Sequence, residues 1–310
     1  MKTTYRIRQP YADIFKRCAD EFICNTPVRP ERFIKKMKTC TGMAGAITGN
    51  AEADGLEKKN PVIVALGDSV TAGHFESLLT NDILAQLGML MQLMQKGKSA
   101  EEAASEAGLT GMPALEITDA RESYIEKFRE RLIDKYEQTS VSVINAGIAG
   151  DVLPSMIARA DRDVVRYDPD LILINGSLNW DDEQMGDASV YKQLLKGLVQ
   201  KLKKETSADI VLITPNGDLP NTMFAMPGQG VAEPTTPLRC KAIREIAEEE
   251  QVCLADVRAV WDAALNAGCP WEELLANRIN HPSVEGHEVY AEVLMKLFED
   301  INPNNQMEVK

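Results

Sequence analysis

Short apolar runs rich in β-branched residues recur from position 61 onward, and stretches with helical spacing of apolar positions fill the gaps between them. The runs are PVIVAL, VSVIN, LILIN, DIVLIT and VCLADV. In the intervening stretches Tyr124, Phe128 and Leu132 share one helical face, as do Tyr191, Leu194, Leu195, Leu198 and Leu202. Strands alternating with amphipathic helices are the mark of a parallel sheet covered on both faces, because a parallel crossover needs a helix to return the chain. The pattern predicts an α/β fold: a three-layer α/β/α sandwich around a central parallel sheet of about five strands. A terminal helix from Ser283 carries Val289, Tyr290, Val293, Leu294, Leu297 and Phe298 toward that sheet.

Helix boundaries are written into the polar positions. Ser99 with Glu102 and Asp119 with Glu122 have capping-box spacing, Thr236-Pro237 sets proline in a first helical turn, and Gly268 then Pro270 close another helix. Two regions break the alternation. Residues 76–117 form a Met-rich insertion with a helical face through Ile83, Leu84, Leu87, Met91 and Met94, and residues 215–235 form a long loop rich in Pro and Gly. The catalytic domain is therefore expected over residues 61–302, with a polar tail at 303–310 and a helical extension at 1–60. In that extension Tyr11, Ile14, Phe15, Cys18, Phe22 and Ile23 line one face, which reads as a surface docked on the domain or, alternatively, one that pairs two copies in a homodimer.

Charge narrows the partners. Lys and Arg total 34 against 47 for Asp and Glu in 310 residues, a formal net charge of -13, so the overall field repels nucleic acid and anionic membranes. The first forty residues carry the opposite excess and read as a separate segment. No apolar run is long enough to cross a bilayer and the first residues lack the pattern of a secretory signal, which predicts a cytoplasmic protein. The six cysteines form no C-x-x-C pair and are expected to be reduced, small apolar groups.

Candidate chemistry lies just past the strands. Gly67-Asp68-Ser69-Val70-Thr71 follows the first, and a serine at the carboxyl end of a parallel strand sits where such sheets place ligands. Asn145-Ala146-Gly147-Ile148-Ala149-Gly150-Asp151 follows the second. Gly150 there offers an unobstructed N–H to a developing oxyanion, and Asp151 is expected to cap the next helix. After the third strand, Asn179 can donate to the same oxyanion without adding a titrating charge, while Asp181, Asp182 and Glu183 read as an acidic loop. His281, in a loop before the terminal helix, can reach Ser69 as its base. His74 follows the nucleophile turn and is placed at the pocket mouth, and His287 is read as a packing or solvent-facing group. The Gly-x-Ser-x-Gly elbow does not fit, since Thr71 stands where its second glycine belongs.

These four stations, in this order over roughly residues 61–300, resemble the SGNH hydrolases, also called GDSL-type esterases and lipases. The resemblance implies a flavodoxin-like sandwich with no metal and no organic cofactor. It makes Ser69 the nucleophile, His281 the base, and Ser69, Gly150 and Asn179 the oxyanion hole, with Asp68 and His74 beside the substrate. The chain departs from the family at the third block, where Ser177-Leu178-Asn179-Trp180 replaces Gly-x-Asn-Asp. It departs again three residues before His281, where Arg278 replaces Asp. Loss of the acid that orients the imidazole is costly in a serine hydrolase. Asn277 is assigned as the orienting group, with Asp181 or Asp182 as substitutes. The implied activity is hydrolysis of a small-molecule ester, with short acyl or acetyl groups on a sugar or similar alcohol favoured. The alternatives are a lipase, a thioesterase, or a non-catalytic module that binds a glycan.

Overall fold

The computed structural model describes residues 11–24, 26, 28–39, 60–75, 81–109, 117–137, 140–217, 236–269, 274–276 and 280–299. The expected strands form in the expected places: β1 (Val62–Gly67), β4 (Ser142–Gly147), β5 (Leu171–Asn175), β6 (Asp209–Ile213) and β7 (Cys253–Ala255). They make one parallel sheet in the order β4-β1-β5-β6-β7. With the five renumbered along the chain this is 2-1-3-4-5, the flavodoxin-like order, and it puts β1 at the point where successive strands change direction across the sheet. Two short strands, β2 (His74–Phe75) and β3 (Ile117–Thr118), pair antiparallel outside it.

The strands have no polar face because both sides are covered. Ile63, Ala65, Leu171, Leu173, Val211 and Ile213 point into one apolar core, and Val64, Leu66, Ile172, Ile174, Ile210 and Leu212 into the other. The first core is closed by α6 (Tyr124–Tyr136), α11 (Val257–Asn266) and α12 (Val284–Lys296). The second is closed by α7 (Leu153–Asp163), α9 (Ala188–Glu205) and α10 (Thr236–Glu249). Strand β4, at the edge of the sheet, is only half-buried along its length.

The basic amino-terminal segment is not separate from this body. In α1 (Tyr11–Asp20) and α2 (Glu31–Thr39), Phe15, Ala19, Phe33 and Met37 are buried in the first core. Phe15 meets Trp261 edge-on at 4.5 Å between ring centres. Part of the positive charge of this segment is paired beside the sheet: Lys36 Nζ donates to both carboxylate oxygens of Asp170, just before β5, at 2.6 Å. The Phe33 N–H donates to Asp209 at 2.7 Å. Helix α1 packs on α11 and α12, which is why α12 is buried on more than the single face its periodicity required. Ile23, counted with the docking face, lies beyond the end of α1 and is 68% exposed.

The insertion also differs from expectation. Its helices α4 (Asn81–Gln95) and α5 (Ala100–Glu106) close a small cluster of Leu90, Leu93, Ala103, Ala107 and Leu109. Met91 and Met94, on the apolar helical face read from the sequence, are exposed together with Met89, and Leu90 and Leu93 take the inner positions. The Ser99–Glu102 capping box forms. Asp119 instead caps a short 3-10 turn (Ala120–Glu122) through the Arg121 N–H, and α6 starts afterwards at Tyr124. Among the described residues five cysteines, Cys18, Cys24, Cys240, Cys253 and Cys269, are free thiols. No helix among those residues is long and apolar enough to cross a membrane. Cys40, Pro270, most of the loop at 215–235 and the tail lie outside the described residues.

Candidate active site

Gly67 ends β1 level with Gly147 of β4 on one side and Asn175 of β5 on the other, so the first three stations leave the sheet from adjacent strand ends. The turn after β1 is tight. A Cβ on Gly67 would fall 2.0 Å from Thr71 Oγ1, and one on Gly147 would fall 2.3 Å from the Ala72 nitrogen, so only glycine lets the two backbones approach. Asp68 caps the single-turn helix α3 (Ser69–Ala72) by accepting from the Val70 N–H at 3.0 Å. Asn145 ties β4 to the same turn, with Nδ2 donating to the Thr71 carbonyl at 2.9 Å and Oδ1 accepting from the Gly147 N–H.

Ser69 and His281, 212 positions apart, meet here: Ser69 Oγ lies 2.8 Å from His281 Nε2. Both are nearly enclosed, at 4% and 5% exposure. The histidine loop is held from two directions. Leu275 and Pro282 form a β-bridge, with the Ala276 N–H donating to the His281 carbonyl at 2.8 Å and the Ser283 N–H to the Leu274 carbonyl at 2.9 Å. From beneath, buried Asn216 donates through Nδ2 to the Asn280 carbonyl at 2.9 Å and accepts from the Tyr290 hydroxyl at 2.8 Å. Asn216, three residues past the end of β6, was not singled out from the sequence, although a polar residue just beyond a strand end in this fold is the signal that finds it.

Asn179 stands beside the second station, its Nδ2 donating to the Asp151 carbonyl at 3.1 Å. A primary amide carries two N–H donors, so one remains for a ligand. Gly150 adopts φ +71, the left-handed region, and a Cβ there would meet nothing within 4 Å. The left-handed backbone conformation by itself favours glycine at this position. Asp151 is not a helix cap in the expected sense. One oxygen accepts from the adjacent Val152 N–H, and the other binds Arg159 Nε at 2.7 Å.

The acids near the third station are committed elsewhere. Asp181 caps the short helix α8 (Asp182–Met185), and Asp182 pairs with buried Arg239 at 3.1 Å, so neither serves His281. Asn277 and Arg278 lie outside the described residues. Asp68, expected beside the substrate, is fully buried directly before Ser69. Burial raises its carboxyl to about 6, opposed by the Val70 hydrogen bond and by the charge of His281. His74 stands near Ser69 and His281, its ring 6.5 Å from that of His281 in an edge-on arrangement. His287 is a packing group: burial lowers it to about 3, and its neutral Nδ1 accepts from the Tyr124 N–H at 3.1 Å. Among the described residues no group of three or more His, Cys, Asp or Glu could hold a metal ion.

A buried hydroxyl bonded to an imidazole, with backbone and amide donors gathered at neighbouring strand ends, can attack a carbonyl and hold the charge that forms on its oxygen. Comparisons with known proteins agree with that chemistry. The sequence model of the GDSL-like Lipase/Acylhydrolase family matches residues 65–289. An acetylxylan esterase of Geobacillus stearothermophilus is 27% identical over 171 residues, 52% of this chain and 74% of that protein. Solved structures that superpose include a mutant of Axe2, an acetyl-xylooligosaccharide esterase of that organism, at TM-score 0.52 and 20% identity, covering 78% of this chain and 95% of the other. LAE5, an alpha/beta hydrolase enzyme from the metagenome of Lake Arreo, superposes at TM-score 0.51 and 20% identity, covering 76% and 94%. At such identities the superpositions speak to the fold alone.

Proposed function

We propose, from the premise that this chain belongs to the GDSL-like lipase/acylhydrolase family and is a serine ester hydrolase, that it removes short acyl groups, foremost acetyl, from a sugar or similar polar alcohol. The observation that carries the reading is the 2.8 Å contact between Ser69 Oγ and His281 Nε2. In this scheme His281 accepts the Ser69 proton as Oγ adds to the ester carbonyl. The N–H groups of Ser69 and Gly150 and the Asn179 amide then receive the oxyanion. The alcohol leaves with the proton from His281, and a water, deprotonated by the same imidazole, releases the acid and restores Ser69. Asp68, ionised at neutral pH beside the imidazolium, stabilises its charge through space.

The substrate class is supported by the acetylxylan esterase relative and by the acidic composition, which suits a neutral alcohol better than an anionic lipid surface. Purified protein assayed with 4-nitrophenyl acetate tests the chemistry: Ser69→Ala should lower turnover by about 10³-fold or more, and an unaltered rate removes Ser69 as nucleophile. A panel of esters varied in chain length tests the substrate, with acetyl expected above octanoyl and acetylated xylooligosaccharides above phospholipids. The opposite ranking makes it a lipase.

A further inference from the structure

Arg159 occupies the buried stripe of α7 with Leu153, Met156 and Ala160 and is 6% exposed. Its guanidinium joins segments that the proposed chemistry needs in register. Nη2 donates to the carbonyl of Gly67, two residues before Ser69, at 3.0 Å. Nη1 donates to the carbonyl of Ala146 at the end of β4 at 2.8 Å and to Asp163 at 3.0 Å. Nε donates to the carboxylate of Asp151, the residue after Gly150, at 2.7 Å. The backbone carbonyl of that same Asp151 accepts from Asn179 Nδ2 at 3.1 Å. One planar group thus spans the ends of β1 and β4 and, through Asp151, reaches the loop after β5.

From this geometry we propose that Arg159 is the positioning residue for the oxyanion-binding groups, setting the separation of Ser69, Gly150 and Asn179. The inference rests on the assignment of those three groups given above. Donors that stabilise a transition state must be held to within about half an ångström of the productive position. Loops leaving separate strand ends have no covalent reason to stay in register. A guanidinium supplies a rigid fork of five N–H donors, whereas a lysine in its place would be a single mobile charge unable to bond two carbonyls and a carboxylate in fixed directions. Asp151 and Asp163 pair with the buried guanidinium and offset the cost of enclosing its charge.

A purely structural arginine would also matter for stability, so the test reads catalysis separately. Arg159→Lys, Arg159→Ala and Ser69→Ala are assayed with 4-nitrophenyl acetate alongside thermal unfolding. In Arg159→Lys kcat is expected to fall by about 30-fold or more with KM within about threefold, the signature of an interaction that acts in the transition state. Added guanidinium should restore part of the lost rate in Arg159→Ala and none in Ser69→Ala. A lowered Tm with unchanged kcat and KM in Arg159→Lys overturns the proposal, as does a raised KM with kcat intact. If Arg159→Lys does not fold, Asp151→Asn decides: a reduced kcat at constant KM supports the inference and an unchanged kcat overturns it. A Ser69→Ala protein that still hydrolyses the ester removes the underlying assignment, whereas an inactive Ser69→Ala beside an unaltered Arg159→Lys removes the positioning role alone.

Discussion

The helices at residues 11–39 and those at residues 81–106 both add to the five-stranded sheet, and they are attached in opposite ways. The first pair places Phe15, Phe33 and Met37 in the main core and bonds to Asp170 and Asp209. The second closes a cluster of its own. Its flanks meet in the two-residue ribbon of β2 and β3, where His74 pairs with Thr118. The first addition therefore shares the cooperativity of the domain, while the second can open without exposing the core that holds the sheet together. Their positions differ too. One lies against the helical layer over the first core, and the other begins directly after the nucleophile turn, with His74 beside His281.

That contrast can be broken by experiment. Phe33→Ala should lower the free energy of unfolding by about 3 to 5 kcal/mol, measured by urea denaturation, with kcat unchanged where the protein remains folded. A loss below 1 kcal/mol would mean the amino-terminal helices rest on the domain without being part of it. Between the two additions lies the sheet rim, whose acid response should belong to neither. Asp68 rises from 3.8 to about 6, so the folded state holds its proton more tightly than the unfolded chain. Its contribution to stability is fully present below about pH 4 and is lost as pH rises through about 6, a difference of about 3 kcal/mol. Asp68→Asn keeps an acceptor for the Val70 N–H and removes the titration. The stability gap between variant and parent should widen by roughly that amount in favour of the variant between pH 4 and pH 8, and a gap independent of pH would contradict it.

Smaller effects are expected in the insertion. Leu93→Ala should change global stability by less than about 1 kcal/mol while accelerating amide hydrogen exchange across residues 85–109. A full core-sized loss would place the insertion in the main cooperative unit. His74→Ala should leave stability unchanged and raise KM for an ester by about threefold to tenfold. An unaltered KM would detach the ribbon from the substrate.

Strands β1, β5 and β6 were legible in the sequence because they are buried on both faces and so read as nearly unbroken apolar runs, whereas edge strand β4 is only half-buried and was legible from its β-branched residues. The first three stations were legible because strand ends in this fold are where polar residues converge, and the fourth because His281 stands in a polar loop just before the terminal helix. What escaped has physical causes. Arg159 and Arg239 lie on the buried stripes of their helices, but an arginine in an amphipathic helix ordinarily belongs to the solvated face, and its burial depends on carbonyls supplied by other segments. The inner face of α4 was misread because methionine and leucine are equally apolar, and the partner helix alone decides which side is covered.

Ser69 and His281 come from opposite ends of the sequence, and the loop bearing the histidine is pinned by Asn216 and by the helix that contains Tyr290. During synthesis the last strand of the sheet, which ends at Ala255, precedes the imidazole of His281. On the proposed mechanism a polypeptide stopped anywhere short of that helix would be an inert precursor, and ester cleavage would report that the carboxy-terminal segment has been made and docked.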